Sequence, residues 1–285
     1  MNLCNQVVLV AGGIGTIGRG ISRGLLRAGA NVVVYSRSDA KLDQLVSELS
    51  TSDTTHGRLI GMNGTMSTPE GARALHQDLT NMTGGALHHV VAHAGVRSWK
   101  TRNAIECDSV RSSHRQTSVL ELSHEEFQHE SHALVEMTWN CASEFLRNGG
   151  LRNQPGASFT IVSGNGGASP LAKLNSHAVH GLAAALRCDT KDDAIRVNEL
   201  RVQLVADRTA KERALEPRSR PLSADIGEIV AGIAARAATE AGSSPTEGEL
   251  IEIPNMEELA GLRQQFETEE IVPQPLLWNW QQQAA

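Results

Sequence analysis

The sequence predicts a single α/β domain built on a doubly wound parallel sheet of about seven strands with helices on both faces. Three observations predict it. Short apolar runs alternate with longer amphipathic ones along most of the chain. The 285 residues, 40% of them hydrophobic, are enough to bury one large core and few for two independent ones. A cluster of glycines falls between the first apolar run and the first amphipathic one, where a strand would turn into a helix.

The strand candidates in chain order are Val7–Ala11, Asn31–Tyr35, Arg58–Met62, His88–His93, Ser158–Ser163, Ile195–Leu200 and Gly248–Ile253. Each is too short for a helix, bounded by glycine or polar residues, and nearly continuous in apolar character, as strands covered on both faces are. Between them, helical spacing of apolar residues predicts helices over Thr16–Ala28, Ala40–Leu49, Pro69–Met82, Glu125–Arg147, Ser176–Arg187 and Ser223–Ala241. Strict alternation of the two makes right-handed βαβ units.

Two segments break this rhythm. Residues 96–121 form a long, polar, locally basic connection without periodicity, which is either a solvated loop or a lid over a site. From Pro254 onward, Met256, Leu259, Leu262 and Phe266 recur at helical spacing, and Trp278 and Trp280 follow close to the end. Clustered apolar side chains of this kind seldom stay in water, so the tail 254–285 is expected to dock on its own domain, 1–253, or on a neighbouring subunit of a homo-oligomer or larger assembly.

The net charge of −6 and the 3% aromatic content exclude a nucleic-acid protein, which needs a basic surface and stacking platforms. Cys4, Cys107, Cys141 and Cys188 are far apart and form no CxxC pair, so neither a metal site nor a disulfide framework is expected. No apolar run approaches the roughly 20 residues of a membrane span. The expected compartment is the cytoplasm, or an organelle matrix where a leader has been removed.

The glycine cluster reads "AGGIGTIGRG", with Gly12, Gly15 and Gly18 spaced to open the first helix directly after the first strand. That context gives the pattern its meaning: a tight turn, an approach of backbone to a pyrophosphate, and close packing of helix on strand. The amides of Gly15, Thr16, Ile17 and Gly18, at the positive end of the helix dipole, suit phosphates. At the end of the second strand, where an acidic side chain would select NAD, the chain reads "VYSRSD". Arg37 offers a guanidinium fork, and Ser36 and Ser38 offer hydroxyls, to a ribose 2′-phosphate, so the expected cofactor is NADP(H). Asp39 is expected to cap the following helix.

Taken together, "AGGIGTIG", "AHAG" at Ala92–Gly95, "IVSGNGG", "AVHGLAAAL", "IRVNEL" and "EGELIEI" occur in an order that resembles the short-chain dehydrogenase/reductase family over residues 5–253. The resemblance implies a Rossmann-type fold and a cofactor turn that includes Ala92, His93 and Gly95. It also implies a serine, Ser163, on the fifth strand that positions a substrate carbonyl.

The family's proton-donating tyrosine and its activating lysine are both missing. Alignment on "AVHGL" puts Asn175 in place of the tyrosine and Val179 in place of the lysine. The single tyrosine, Tyr35, lies at the end of the second strand, so no shift of register restores the pair. A phenol with a pKa near 10 would need a nearby cation to act at neutral pH, and both members of that arrangement are lost.

Candidate substitute acids are His177 and Lys173, each two positions from Asn175. On a helix that spacing points about 200° away. Two functions follow. One is a divergent NADPH-dependent reductase of a small molecule that needs little acid help, such as an imine or iminium ion. The other is a catalytically inactive protein that binds NADP(H) and serves as a structural or interaction subunit.

Overall fold

The computed structural model describes residues 2–50, 57–93, 119–165, 170–204, 223–239 and 248–266. Seven strands, β1 (Val7–Ala11), β2 (Asn31–Ser36), β3 (Leu59–Asn63), β4 (His89–Ala92), β5 (Ser158–Gly164), β6 (Arg196–Val202) and β7 (Leu250–Ile253), form one sheet in the order β3-β2-β1-β4-β5-β6-β7. Every pairing is parallel, with Leu9 opposite Val33 on one side and Val90 on the other. This is the expected Rossmann-type α/β fold. The predicted strands agree with the observed ones to within two residues at each end, and β1 coincides completely.

Among the described residues the α-helices are α1 (Thr16–Arg27), α2 (Asp39–Ser50), α3 (Pro69–Thr83), α4 (His124–Ala142), α5 (Pro170–Asp189), α6 (Ser223–Thr239) and α7 (Met256–Phe266). Alternation along β1 and β2 sends Val8, Val10, Val32 and Val34 to one face, where Ile21, Leu25, Ile226 and Val230 of α1 and α6 cover them. Val7, Leu9 and Val33 point to the other, against Leu75, Phe145 and Val179 of α3, the turn after α4, and α5. Each such buried side chain stabilises the fold by about 1.5–3 kcal/mol relative to exposure.

On the first face, α1 and α6 touch through backbone. A Cβ added at Gly20 would lie 2.0 Å from the carbonyl oxygen of Ser223, and one at Gly24 would lie 2.3 Å from that of Gly227. Sequence spacing alone gives no sign of this contact, because its two halves are about 200 residues apart.

Several boundaries differ from expectation, each for a local reason. Helix α5 begins at Pro170 rather than Ser176, since proline is favoured in a first helical turn, so Lys173 and Asn175 belong to the helix proper. Asp39 is the first residue of α2 and not its cap. The carbonyl of Ser38 accepts the first helical hydrogen bond, from Leu42, while the Asp39 carboxylate accepts one from Asn63, 2.6 Å away.

The helix expected over Glu125–Arg147 is α-helical to Ala142 and then widens into a π-turn, Ser143–Asn148. Its Glu144 points inward and takes hydrogen bonds from His76 (2.7 Å) and Asn148 (2.9 Å). The long connection 96–121 ends in a 3₁₀ turn, Val119–Glu121, while 96–118 lie outside the described residues. The tail is helical over α7, where Leu259 and Phe266 join the α6 core; Trp278 and Trp280 also lie outside the described residues.

Strand order reverses between β1 and β4, because the chain winds from β1 out to β3 and then returns to the other side. A crevice opens at the carboxyl ends of those two strands, the place where doubly wound sheets bind their ligands. Among the described residues no helix is long and apolar enough to cross a membrane, and no group of histidine, cysteine and acidic residues could hold a metal ion.

Candidate active site

Gly12 leaves β1 with φ +89°, the left-handed region that glycine alone enters without strain. A Cβ at Gly18 would lie 2.1 Å from the Gly12 carbonyl oxygen, so the first turn of α1 folds directly back on the loop. Gly15 is the N-cap residue, no side chain caps the helix, and its first turn holds no acidic residue. Gly15 and Thr16 are exposed, Ile17 is half-buried and Gly18 is buried. Arg19 secures the turn from within α1: its Nε donates to the Ile14 carbonyl at 3.2 Å, and its guanidinium pairs with Glu48 of α2.

This is a cradle that a pyrophosphate fits: no side-chain cap, no acidic residue in the first turn of the helix, and a floor without side chains, with the Gly15 amide itself donating to the Gly12 carbonyl at 3.1 Å. Arg37 stands exposed just beyond β2, while Ser36 is buried and its Oγ accepts from the Ser38 amide at 3.1 Å. Arg37 is thus the group presented outward there, and the Ser36 hydroxyl already has a backbone task. Ala92 is buried at the end of β4. His93 beside it is held by a contact of 3.1 Å between its Nδ1 and the Val162 carbonyl. Burial lowers the His93 pKa, which the carbonyl partly offsets, so the ring is neutral with Nδ1 donating. Gly95 lies outside the described residues.

At the other end of the crevice, Ser163 follows Phe159 and Ile161 on the face of β5 that α5 covers. Asn175 and Val179 are 2% and 3% exposed, one turn apart on the sheet-facing side of α5, the geometry their alignment with the family's pair requires. Lys173 and His177 occupy the opposite, exposed side, as the 200° offset predicts, and His177 Nδ1 lies 2.8 Å from the Lys173 carbonyl. The structure therefore does not bring these two substitute acids to the inner face with Ser163. Tyr35 is buried among core side chains, and burial above all drives its phenol pKa upward, so it cannot stand in either. The Cys141 thiol is likewise pushed up by burial, to about 12.

A charged group that sequence reading missed adjoins Ser163. Glu199 of β6 is fully buried, and its Oε1 accepts from Arg201 Nε and Nη2 at 3.0 and 2.9 Å. The Ser163 hydroxyl donates to the same oxygen at 3.4 Å. Arg187 of α5 approaches Glu199 Oε2 at 3.8 Å, and Arg201 also bonds Glu252 of β7 at 3.0 Å. His180 lies 3.2 Å from the Gly164 carbonyl through Nε2, its pKa lowered by burial and then by Arg201, so it too is neutral and donating. The available signal was Glu199 in the middle of a covered strand, since a charge buried there has to be paired.

A glycine-floored phosphate turn at a topological switch point, with a serine at the end of the fifth strand, defines a nucleotide-dependent α/β protein of the dehydrogenase type. A family model described as short chain dehydrogenase matches residues 6–217, most of the chain, and the chain belongs to that family, which acts through nicotinamide cofactors in oxidoreduction. One relative, the short chain dehydrogenase/reductase dpmpG of Macrophomina phaseolina (strain MS6), is 35% identical over 79 residues, which make up 28% of this chain and 44% of that one. The shared stretch thus spans less than half the relative's length.

Among solved structures, the Pseudomonas aeruginosa RhlG/NADP active-site complex superposes with a TM-score of 0.66 at 19% identity, covering 90% of this chain and 98% of that one. An oxidoreductase from Haemophilus influenza with bound NAD reaches 0.66 at 12% identity, covering 91% and 96%. At these identities the likeness is one of fold.

Proposed function

We propose that the protein is an NADPH-dependent reductase of acceptors that need no proton donor from the protein, such as iminium ions, including imines that bind already protonated. The observation that carries this is the replacement on the inner face of α5: Asn175 and the apolar Val179 stand where a proton donor and its cation would have to be, while the phosphate turn is kept intact. When bound, the nicotinamide supplies a hydride, and an iminium carbon accepts it as the C=N electron pair returns to nitrogen, so no alkoxide is left to protonate.

The chain's own residues bind and orient. The amides at the start of α1 hold the pyrophosphate, Arg37 takes the ribose 2′-phosphate, and His93 braces the turn after β4 against β5. Ser163 and Asn175 supply the polar groups facing the acceptor, with Asn175 shaping the pocket rather than exchanging a proton.

Replacing Arg37 by alanine is expected to weaken NADPH binding about tenfold or more and to leave NADH binding nearly unchanged, as loss of a charge-assisted contact to phosphate should. Titration of each cofactor by fluorescence checks this. The activity itself is tested by NADPH oxidation across matched panels of imines, enones and ketones. Turnover confined to imines supports the proposal. Tight NADPH binding without turnover on any panel favours the alternative, a subunit that binds the cofactor without using it.

A further inference from the structure

We propose that the buried Glu199 fixes Ser163 as a hydrogen-bond acceptor toward the pocket, and so selects substrates that present an N–H donor, above all protonated cyclic imines and amines, over neutral ketones. A carboxylate only accepts, so in its contact with Glu199 Oε1 the Ser163 hydroxyl must be the donor. Its proton is then committed inward, and the lone pairs of Oγ are what a ligand meets. A ketone oxygen, itself an acceptor, finds no proton there; an iminium or ammonium N–H finds its complement.

Glu199 is held in this role on every side. Arg201 binds it through two nitrogens and also pairs with Glu252, which Gln203 contacts at 3.3 Å. Arg187 lies beyond Oε2, which has no hydrogen-bond partner although it is fully buried. His180 of α5 spends its Nε2 on the Gly164 carbonyl. Two arginines balance two carboxylates, so the cluster is close to electroneutral. It does not attract cations by net charge; it acts through the direction of one hydroxyl. The proposal names the ligand chemistry of the same site and rests on its assignment as a reductase pocket.

The test uses the full chain with NADP⁺ bound, and two probes of the same ring size, pyrrolidine in its protonated form and cyclopentanone. Binding is measured by calorimetry for the wild type, Glu199→Gln and Ser163→Ala. The wild type is expected to bind pyrrolidinium about tenfold more tightly than cyclopentanone, the worth of one hydrogen bond to a charged group. In Glu199→Gln the side-chain oxygen is expected to stay on the Arg201 N–H groups, which exclude the amide NH2 from that position, and to keep accepting from Ser163, so the preference is expected to persist although the charge is gone. Ser163→Ala is expected to abolish the preference while keeping the ion pairs of Glu199, and it carries the test if the Gln variant does not fold.

Equal binding of the two probes by the wild type, binding of neither, or a preference that survives Ser163→Ala overturns the proposal. Because these are binding ratios, an absence of turnover with pyrroline would defeat the reductase assignment without deciding this one.

Discussion

Replacing Gly24 by leucine is expected to cost the protein about 3 kcal/mol or more and to lower its melting temperature by roughly 10 °C. The atoms that a new Cβ would meet, at 2.3 Å, are the carbonyl carbon and oxygen of Gly227, with the Glu228 nitrogen at 2.8 Å. These are backbone, and no change of rotamer relieves them. Helices α1 and α6 would have to part, and Ile21, Leu25, Ile226 and Val230 would lose the contacts that close the core over β1 and β2.

The cofactor turn would suffer with them, since Thr16 to Gly18 form the first turn of the same helix. A contrasting substitution makes the mechanism specific. Gly181 lies exposed in α5 with nothing within 4 Å of an added Cβ, so Gly181→Ala is expected to raise stability by about 0.5–1 kcal/mol. Urea midpoints of both variants check the pair; a Gly24→Leu variant as stable as the wild type would mean that the two helices do not approach as described.

Acidification is expected to destabilise the protein well before its carboxylates titrate. His89 at the start of β4 is fully buried. Its Nδ1 is 2.9 Å from the Ser158 hydroxyl, its Nε2 has no hydrogen-bond partner, and burial pushes its pKa from 6.5 down to about 3. The folded chain therefore keeps a neutral ring down to about pH 3, while the unfolded chain takes up a proton below 6.5.

The stability tied to this neutrality is complete above pH 6.5 and falls as the pH drops from there toward 3, at up to about 1.4 kcal/mol per unit, or about 2 kcal/mol by pH 5. His88, His93 and His180, whose pKa values burial also lowers, act in the same direction. Urea midpoints at pH 7.5, 6 and 5 should fall steadily for the wild type, and less steeply for His89→Asn. A flat profile would refute the assignment.

What the sequence made legible and what it hid follow from the range of the interactions involved. The alternation of apolar runs is a local pattern and located every strand, and the glycine turn is local too. Asn175 and Val179 could be placed on one face because helical geometry converts spacing into direction. The same rule sets Lys173 and His177 on the outer side.

The unforeseen features all join residues distant in the chain. Arg19 meets Glu48 from 29 positions away, Ser163 meets Glu199 from 36, and the glycines of α1 meet those of α6 from much farther. Helix α5 began early because its first turn, from Pro170, is marked by a capping preference and not by amphipathic spacing.

The order of strands in the sheet also sets a timetable for synthesis. Strand β1 takes its place between β2 and β4, and the Val7 amide bonds His88 from 81 positions downstream. At roughly 5–20 residues per second, about 4–16 s pass between the emergence of β1 and that of its second neighbour. During that interval "VVLVA", free of charge and prone to extended pairing, has one open edge. Each later pairing in this all-parallel sheet waits in the same way on a crossover of many residues, which makes folding intrinsically slow. The nascent chain therefore exposes an uncharged apolar segment early and covers it late, and its yield in the cell should depend on translation speed and on chaperones that hold short apolar strands.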